Sequence, residues 1–383
     1  MHAHHDRLLA QLKAREAAGN LRRLPQDVQG VDFYSNDYLG LARLSLPAAP
    51  RVIPTAPDVQ RRNGATGSRL LSGNSTAAED LERMLAGFFE TPATLLYNNG
   101  YMANLGLLSA LPGRQDTVLY DSLSHACIKE GIRLSPAKRF PFRHNDLDDL
   151  ESRLSKAAEG PGLCWVVVES VYSMDGDEAP LVDLLAVAQK YGAALIVDEA
   201  HSTGVFGQGG RGLCHELGIA DQVFARVHTF GKAMGSHGAV VAGSKALRDY
   251  LVNFSRAFIY TTALPPHAVQ SIYASFDYLM QHPKCIGDLH GVIAAFRRKL
   301  KEKAAELPGT WVDSRSPIQA MIYPGNAAVK ALAASLQNAG LIVKPILSPT
   351  VREGEERLRI CLHAYNSSED LDRLIESLST FTA

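Results

Sequence analysis

Lys232 is the clearest candidate for a chemically reactive residue in the sequence. It follows a short β-like run, residues 223–227, and it lies among Thr229, Gly231 and Gly235. A surface lysine rarely has such small neighbours, and small side chains let a cofactor approach the backbone closely. A lysine in this setting is a candidate to form a Schiff base with a carbonyl group.

An acidic residue, Asp198, precedes this lysine in the sequence. The apolar run 193–197 ends in Asp198, and His201 follows shortly after it. Open α/β sheets present catalytic groups at the carboxyl ends of buried strands. A Schiff-base lysine, together with an acid that can pair a pyridinium nitrogen, is the signature of pyridoxal phosphate (PLP) chemistry. The two residues therefore predict a PLP site.

The segments around these residues alternate between strand and helix patterns, which predicts a doubly wound α/β sheet. Strands are expected over 94–97, 117–120, 163–169, 193–197 and 238–243. His125, Ser173, Asp198 and the Lys232 loop each follow the carboxyl end of a predicted strand. We therefore expect them on one edge of the sheet.

Two turns are candidates for ligand contacts. Asn99, Gly100 and Tyr101 open a helix directly after a strand, where free backbone amides and the helix dipole attract anions. The glycine-rich stretch 63–74 is either a loop that lines a site or a surface Ω-loop, and we favour the site.

The last third of the chain has a different pattern. Long helical patterns run to about residue 305, and short strands follow. Arg357 and Arg359 share one face of the strand 357–362, where one of them could clamp a substrate carboxylate bidentately. The alternative is an edge strand with solvated arginines. With a proline-containing connector over 42–60, the predicted organisation is an N-terminal segment 1–45, a large domain 46–265 and a small domain 266–383.

Composition limits the class of protein. The 46% hydrophobic and 21% charged residues are typical of an ordinary globular protein. A formal net charge of -1 gives no reason to expect nucleic acid or an anionic membrane as partner. There is no apolar run of membrane-spanning length and no signal-peptide pattern at the start. The five cysteines are scattered without a CxxC pair, which predicts a reducing compartment and no metal site. We expect a cytoplasmic protein.

Two other motifs compete with the PLP interpretation. Residues 198–201 also match the Asp-Glu-Ala-His box of a helicase, which requires a P-loop. The Gly231-Lys232 pair has Arg226 where the first P-loop glycine belongs and Ala233 where Ser or Thr belongs, so this interpretation fails. Residues 207–212 match G-x-G-x-x-G, but no strand precedes them and no ribose-binding acid follows.

Taken together, the motifs resemble the α-oxoamine synthase family of fold-type-I PLP enzymes over nearly the whole chain. They occur in the family's order at 35–41, 67–74, 121–125, 142–145, 170–177, 198–201 and 229–232. The resemblance implies an aspartate-aminotransferase-like fold, with a mostly parallel seven-stranded sheet in the large domain and a smaller α+β C-terminal domain. It also implies a homodimer with the active site at the subunit interface.

The resemblance implies roles for particular residues. Lys232 should hold the cofactor and later move protons at the α-carbon of the amino acid, and Asp198 should keep the pyridine nitrogen protonated. His125 should stack on the ring, while His201 and Ser173 should bond its phenolic oxygen. His125 could instead only cap a helix, and Ser173 could only belong to a turn.

The remaining implied roles concern the phosphate and the substrate. The phosphate residues implied by the family are Asn99, Gly100, Tyr101 and Thr229, with Thr261 or Thr262 from a neighbouring subunit. Arg359 corresponds to the family's carboxylate anchor, with Asn36 beside it.

The reaction implied by the resemblance is a decarboxylative condensation of an amino acid with an acyl thioester. Segments 67–74 and 229–232 look most like the branch that joins L-alanine to a pimeloyl group, carried by coenzyme A or a carrier protein, in biotin biosynthesis. Ala78 and His237 depart from common family residues, and either change could alter the acyl pocket. Three alternatives stay open: a relative that uses serine or glycine with a long-chain thioester, a PLP aminotransferase, and a cofactor-free scaffold of the same fold.

Overall fold

The structure is a computed structural model that describes residues 2–24, 29–46 and 63–381. Most of the predicted connector 42–60 lies outside the described residues. No helix in the described ranges is both long and apolar enough to cross a bilayer.

Strands and helices alternate through the middle of the chain, as predicted. The strands are β1 Val31–Asp32, β2 Ala93–Tyr97, β3 Thr117–Asp121, β4 Lys138–Phe142, β5 Cys164–Glu169, β6 Ala194–Asp198, β7 Ala225–Thr229, β8 Ala239–Gly243, β9 Thr310–Trp311, β10 Ile318–Ile322, β11 Leu341–Ile342, β12 Lys344–Ile346 and β13 Arg357–Cys361. The helices are α1 His2–Ala17, α2 Thr76–Phe88, α3 Gly100–Ala110, α4 Ala126–Leu134, α5 Leu147–Ala157, α6 Leu181–Lys190, α7 Leu213–Glu216, α8 Lys245–Phe254, α9 Arg256–Ile259, α10 Pro266–Gln281, α11 Lys284–Glu302, α12 Asn326–Asn338 and α13 Ser368–Ser379.

The chain forms two compact units. The larger comprises Asn36–Ser173 and Glu178–Gly287, and the smaller comprises Met1–Ser35, Met174–Asp177 and Asp288–Ala383. The domain boundaries inferred from the sequence stay a prediction.

The larger unit is built on a seven-stranded sheet with strand order β2-β8-β7-β6-β5-β3-β4. Strand β8 is antiparallel to both of its neighbours, and the other neighbouring pairs are parallel. This confirms the predicted mostly parallel seven-stranded sheet. Every residue of β5 is buried, which explains its near-continuous apolar sequence, because a strand covered on both faces needs no polar side.

The sequence pattern did not predict strand β4. Its residues 138–141 are exposed, since β4 is the last strand at one edge of the sheet. Lys138, Arg139 and Pro141 give it a composition unlike that of a central strand, and proline is tolerated at such an edge because it has no N–H to pair.

The first helix, α1, covers His2–Ala17. Gly19 has φ 64°, a left-handed conformation that commonly ends a helix. Ser75 caps α2, since its hydroxyl accepts the Ala78 N–H at 3.2 Å.

The smaller unit contains a four-stranded antiparallel sheet, β12-β13-β10-β9, and a short parallel pair, β1-β11. With α12 and α13 it forms the predicted α+β unit. Strand β13 lies between two partners, and both Arg357 and Arg359 are buried. The edge-strand alternative with solvated arginines is therefore wrong.

Candidate active site

The Lys232 loop follows β7 at the carboxyl edge of the larger sheet. Its turn is closed by the Gly235 N–H, which donates to the Lys232 carbonyl at 2.8 Å. Gly235 has φ 56°, and a Cβ there would overlap the backbone of Leu41 and Ala42. Glycine is required at this position because it lets the segment around Ala42 pack directly on the lysine loop.

Lys232 contacts a buried histidine. Its Nζ lies 2.7 Å from His201 Nε2, and His201 Nδ1 lies 2.8 Å from the Tyr38 hydroxyl. The Tyr38 hydroxyl also donates to Asn36 Oδ1 at 3.1 Å. Lys232, His201 and Asn36 were predicted site residues. Lys232 contacts His201 directly, and Tyr38 links His201 to Asn36. Sequence reasoning missed Tyr38, although it belongs to the motif at 35–41.

Asp198 ends β6 as a buried carboxylate. Its Oδ2 accepts the Asn104 side-chain N–H at 2.7 Å, and its Oδ1 accepts the Ala200 N–H at 2.9 Å. Burial raises the pKa of Asp198, while Lys232 and the Asn104 hydrogen bond act in the opposite direction. A cationic group bonded to this carboxylate would compensate its lost hydration.

Asn104 was also missed. It lies on α3, is buried, and its Oδ1 has no hydrogen-bond partner among the described residues. The signal available in the sequence was a single amide residue on an otherwise apolar helix, since buried amides are normally paired with another polar group.

His125 is held at the start of α4 by two contacts. Its backbone N–H donates to Glu169 Oε1 at 2.6 Å, and its ring Nδ1 accepts the Cys127 N–H at 3.2 Å. Burial lowers the pKa of His125, although Asp198 acts in the opposite direction. Capping the helix uses Nδ1 in the plane of the ring and not the ring face, so capping does not exclude the predicted stacking.

Glu169 was not predicted as a site residue. It is buried at the end of β5, and burial, followed by the nearby Asp198 charge, raises the pKa of Glu169 to about 8. The signal was present in the sequence, because a carboxylate at the end of an apolar run follows the same pattern that identified Asp198.

The predicted phosphate turn has the form of an anion site. Asn99 Oδ1 caps α3 by accepting the Met102 N–H at 2.9 Å. A Cβ at Gly100 would overlap the Thr229 hydroxyl, so glycine lets the helix start lie directly against Thr229. Backbone amides and a hydroxyl therefore converge there. Tyr101 is half-exposed, and its hydroxyl donates to Glu130.

The glycine-rich loop packs beside this turn. Ser68 forms an isolated β-bridge with Thr262, whose carbonyl accepts the Asn98 side-chain N–H at 2.9 Å. Arg69 and Gly73 of the loop, with Ala78 and Thr261, line a small cavity of about 20 Å³. The assignment of residues 63–74 to a site rather than to a surface Ω-loop stays a prediction.

The remaining predicted residues are placed separately. Ser173 is half-buried a few residues after β5, and His237 is exposed. In the smaller unit, Arg359 Nη1 lies 2.7 Å from Cys361 Sγ, while Arg357 forms an ion pair with Asp175. The guanidinium of Arg357 is thus already paired with a carboxylate of its own unit.

The residues of the larger unit fit PLP. Lys232 supplies an amine for the aldehyde, Asp198 a buried carboxylate for the pyridine nitrogen, and the Gly100 turn with Thr229 supplies donors for the phosphate. Within the described residues, no cluster of three or more His, Cys, Asp or Glu side chains could hold a metal ion.

Comparison with known proteins agrees with these features. The model of the family "aminotransferase class I and II" matches residues 28–378. An 8-amino-7-oxononanoate synthase from Chromohalobacter salexigens is 42% identical, covering 98% of this chain and 96% of the relative.

Two solved structures are similar over most of the chain. A serine palmitoyltransferase variant from S. paucimobilis with bound PLP–myriocin has a TM-score of 0.84 and 28% identity, covering 98% of this chain and 97% of its own. An 8-amino-7-oxononanoate synthase from Francisella tularensis has a TM-score of 0.74 and 28% identity, covering 91% of this chain and 97% of its own. The chain therefore belongs to the aminotransferase class I and II family and, within it, to the α-oxoamine synthases that its motifs predicted.

Proposed function

We propose that this protein condenses L-alanine with a pimeloyl thioester, giving 8-amino-7-oxononanoate, carbon dioxide and the free thiol, in biotin biosynthesis. The observation that carries the proposal is the 42% identity over nearly the full length to a synthase of that name. The thiol carrier is coenzyme A or a carrier protein. A new bond joins the α-carbon of alanine to the acyl carbonyl carbon, the thiolate leaves, and the alanine carboxylate departs as carbon dioxide.

The cofactor is pyridoxal 5'-phosphate, whose ring withdraws electrons from the α-carbon of the bound amino acid. Lys232 Nζ would hold the cofactor aldehyde and then take the proton from the α-carbon. Asp198 would keep the pyridine nitrogen protonated, because its buried carboxylate is stabilised by an opposite charge. Asn104 orients that carboxylate through its 2.7 Å hydrogen bond.

The other residues would bind and orient the cofactor. His125 would cover the ring, with its backbone held by Glu169 at 2.6 Å. His201 and Ser173 would bond the phenolic oxygen. The proposed phosphate donors are Asn99, Gly100, Tyr101 and Thr229, supported by the crowded contact of Gly100 with Thr229.

Arg359 and Asn36 are proposed to bind the amino-acid carboxylate. A guanidinium can grip a carboxylate through two parallel hydrogen bonds, and the neighbouring candidate Arg357 is already paired with Asp175.

We also propose a cytoplasmic homodimer. In the dimer, Thr261 or Thr262 would reach the phosphate of the partner subunit. The exposed apolar Leu71 and Tyr260 lie next to the two segments joined by the Ser68–Thr262 bridge, which supports a protein partner there. The free, mostly buried cysteines support a reducing compartment.

A second candidate uses L-serine with a palmitoyl thioester. It is favoured by the structural similarity to serine palmitoyltransferase, whose TM-score of 0.84 exceeds the 0.74 of the solved 8-amino-7-oxononanoate synthase. Both candidates share the same bond-forming chemistry and differ in the amino acid and in the acyl chain.

The test is a substrate matrix with the PLP-loaded protein. Alanine, glycine and serine would each be combined with pimeloyl and palmitoyl thioesters, while free thiol, carbon dioxide and the amino ketone are measured. We expect the alanine–pimeloyl pair to give the highest kcat/KM, with one thiol and one carbon dioxide formed per product. Preference for serine and palmitoyl thioester would support the second candidate.

Two further measurements test the class of reaction. Transfer of the amino group to a keto acid without release of free thiol would indicate an aminotransferase. Lys232→Ala should abolish turnover in either synthase, and a variant with normal activity would end the proposal.

A further inference from the structure

A buried ion pair ties the glycine-rich loop to helix α2. Glu82 of α2 is buried, and its two carboxylate oxygens accept hydrogen bonds from Nη1 and Nη2 of Arg69 at 2.8 and 3.3 Å. The third contact of this guanidinium runs from Nε to Asn74 Oδ1 at 2.6 Å. Two parallel bonds between a guanidinium and a carboxylate are the strongest geometry for such a pair. Since Arg69 and Asn74 both belong to the loop 63–74, the ion pair fixes the loop to the helix.

The same carboxylate covers an open edge of the larger sheet. Strand β2 is the last strand at this edge, and its Leu96 N–H donates to Glu82 Oε1 at 2.9 Å. The Thr94 hydroxyl donates to the backbone carbonyl of Glu82 at 2.8 Å. An edge strand presents N–H groups that no neighbouring strand accepts, and here Glu82 supplies an acceptor. One buried side chain therefore joins the edge strand to the glycine-rich loop.

Both the strand and the loop lead to the predicted phosphate turn. Strand β2 runs directly into the turn, in which Asn99 caps α3. On the loop side, Ser68 forms the isolated bridge with Thr262, whose carbonyl accepts the Asn98 side-chain N–H at 2.9 Å. The turn is thus held from two directions, and the two supports meet at the buried ion pair.

Tight packing keeps the loop in one arrangement. A Cβ at Gly67 would overlap the side chain of Ser72, and a Cβ at Gly73 would overlap the Gly67 carbonyl. The side chains of the ion pair are 10% exposed for Arg69 and 5% exposed for Glu82. A charge left alone there would be poorly hydrated, so removing one partner of the pair is costlier than replacing both.

We propose that Arg69 is a positioning residue that, through Glu82, holds the phosphate turn in the arrangement that binds the phosphate of PLP. The proposal rests on the proposed function only in assigning that turn to the phosphate. Nε, Nη1 and Nη2 of Arg69 each donate within the protein, so the charge of the guanidinium is already compensated. Loss of the ion pair should therefore weaken the grip on the phosphate and spare the contacts of the pyridine ring and the aldehyde.

The test compares two ligands that differ in the phosphate group. Apoprotein would be titrated with PLP and with pyridoxal, which lacks the phosphate, and the apparent Kd of each would be measured by absorbance and fluorescence. Lys232 and Asp198 are proposed to act on both ligands. The ratio of the two Kd values therefore isolates the contribution of the phosphate, and we expect the wild type to prefer PLP.

Arg69→Lys keeps the positive charge but cannot bond to both carboxylate oxygens and to Asn74 at once. The Kd for PLP should rise roughly 10-fold, the loss expected for one hydrogen bond to a charged group, while the Kd for pyridoxal stays within about twofold. An unchanged preference for PLP would overturn the proposal. Equal weakening of both ligands would also overturn it, because a general loss of folding predicts that result.

A pair of further variants separates positioning from stability. Arg69→Ala leaves the buried Glu82 carboxylate without its bidentate partner and should lower the urea midpoint of unfolding. Adding Glu82→Gln removes that charge, keeps an acceptor for the Leu96 N–H, and should restore much of the midpoint. The loop remains detached in the double variant, so its preference for PLP should stay reduced. Recovery of the preference together with the midpoint would contradict a positioning role.

Arg211→Lys is the matched control. Arg211 also bonds to α2, because its Nε donates to the carbonyl of Phe88, the last residue of the helix, at 2.7 Å. This variant should lose some stability and keep the preference for PLP, and a lost preference would show that any loosening of α2 has the same effect. A wild type without a preference for PLP would overturn the phosphate assignment and the role of Arg69 together. Failure to condense alanine with a pimeloyl thioester would end the proposed function and leave the ligand ratios unaffected.

Discussion

Glu169 and Asp198 are direct register partners at the carboxyl ends of the neighbouring strands β5 and β6, and both carboxyl groups are buried. Two carboxylates so placed cannot both ionise at low cost, because burial and mutual repulsion both disfavour the second charge. The opposite charge of Lys232 acts against these effects on both residues. The edge of the sheet is therefore prepared for an additional positive charge, such as a protonated pyridine nitrogen.

The first prediction concerns stability and pH. Burial, and then Asp198, raise the pKa of Glu169 from 4.5 to about 8, so the folded protein binds a proton that the unfolded chain releases in this range. The stabilisation from this group is full below about pH 4.5 and is lost as the pH rises through about 8. Glu169→Gln cannot titrate, and it should flatten this decline in urea unfolding midpoints of the apoprotein.

The exposed Glu159 provides the control for that experiment. Glu159→Gln should leave the pH dependence of unfolding as in the wild type. An equally steep decline in the Glu169→Gln variant would show that another group is responsible.

The second prediction concerns Asp198. Asp198→Asn keeps the shape of the side chain and removes the charge that would stabilise a protonated cofactor ring. We expect kcat to fall by about 10²–10³-fold, the usual effect of removing one electrostatic partner in a buried site. Steady-state kinetics of the PLP-loaded variant would measure this, with the exposed Asp183→Asn as control. An unchanged kcat would refute the role.

The third prediction concerns Asn104. Asn104→Ala removes the 2.7 Å hydrogen bond to Asp198, and a hydrogen bond to a charged group contributes about 1.5–3 kcal/mol. The apparent Kd for PLP should therefore rise by about 10–100-fold, measured by fluorescence titration of the apoprotein. Leu107→Ala truncates a buried apolar residue of the same helix and keeps the Asn104–Asp198 hydrogen bond. It should lower stability while changing the Kd much less, and equal effects would argue against the role of Asn104.

The fourth prediction concerns Gly100. Gly100→Ala would place a methyl group on the Thr229 hydroxyl, so the helix start and Thr229 must move apart. PLP affinity should fall, because phosphate donors lose their convergence. Gly291→Ala is the contrast, since Gly291 lies within α11 with open space around it. That variant should keep its affinity and gain up to about 1 kcal/mol of stability from helix propensity. Full PLP affinity in Gly100→Ala would contradict the phosphate assignment.

Much of the architecture could be predicted from local patterns. The apolar run before Asp198 predicts a strand covered on both faces. The small residues around Lys232 predict a tight loop. A strand buried on both faces is apolar at nearly every position, and parallel strands place their carboxyl ends on one edge of the sheet. The family motifs added the number of strands and their mostly parallel direction.

Some features depend on contacts between distant segments. Tyr38 meets His201, and Asn104 meets Asp198, only after the chain has folded. Local patterns also left the surroundings of Arg357 and Arg359 open, because the alternation of β13 is the same at an edge as in the middle of a sheet.

By itself, the sequence determined the fold class and the family, and it predicted Lys232 and Asp198 as the two principal site residues, because these follow from periodicity, strand ends and motif spacing. Only the tertiary structure decided which polar groups bond to the predicted site residues. Asn104 bonds to Asp198, Glu169 to His125, and Tyr38 to His201. The physical reason is that a hydrogen bond of less than about 3 Å is set by the packing of separate elements, which no local stretch of sequence encodes.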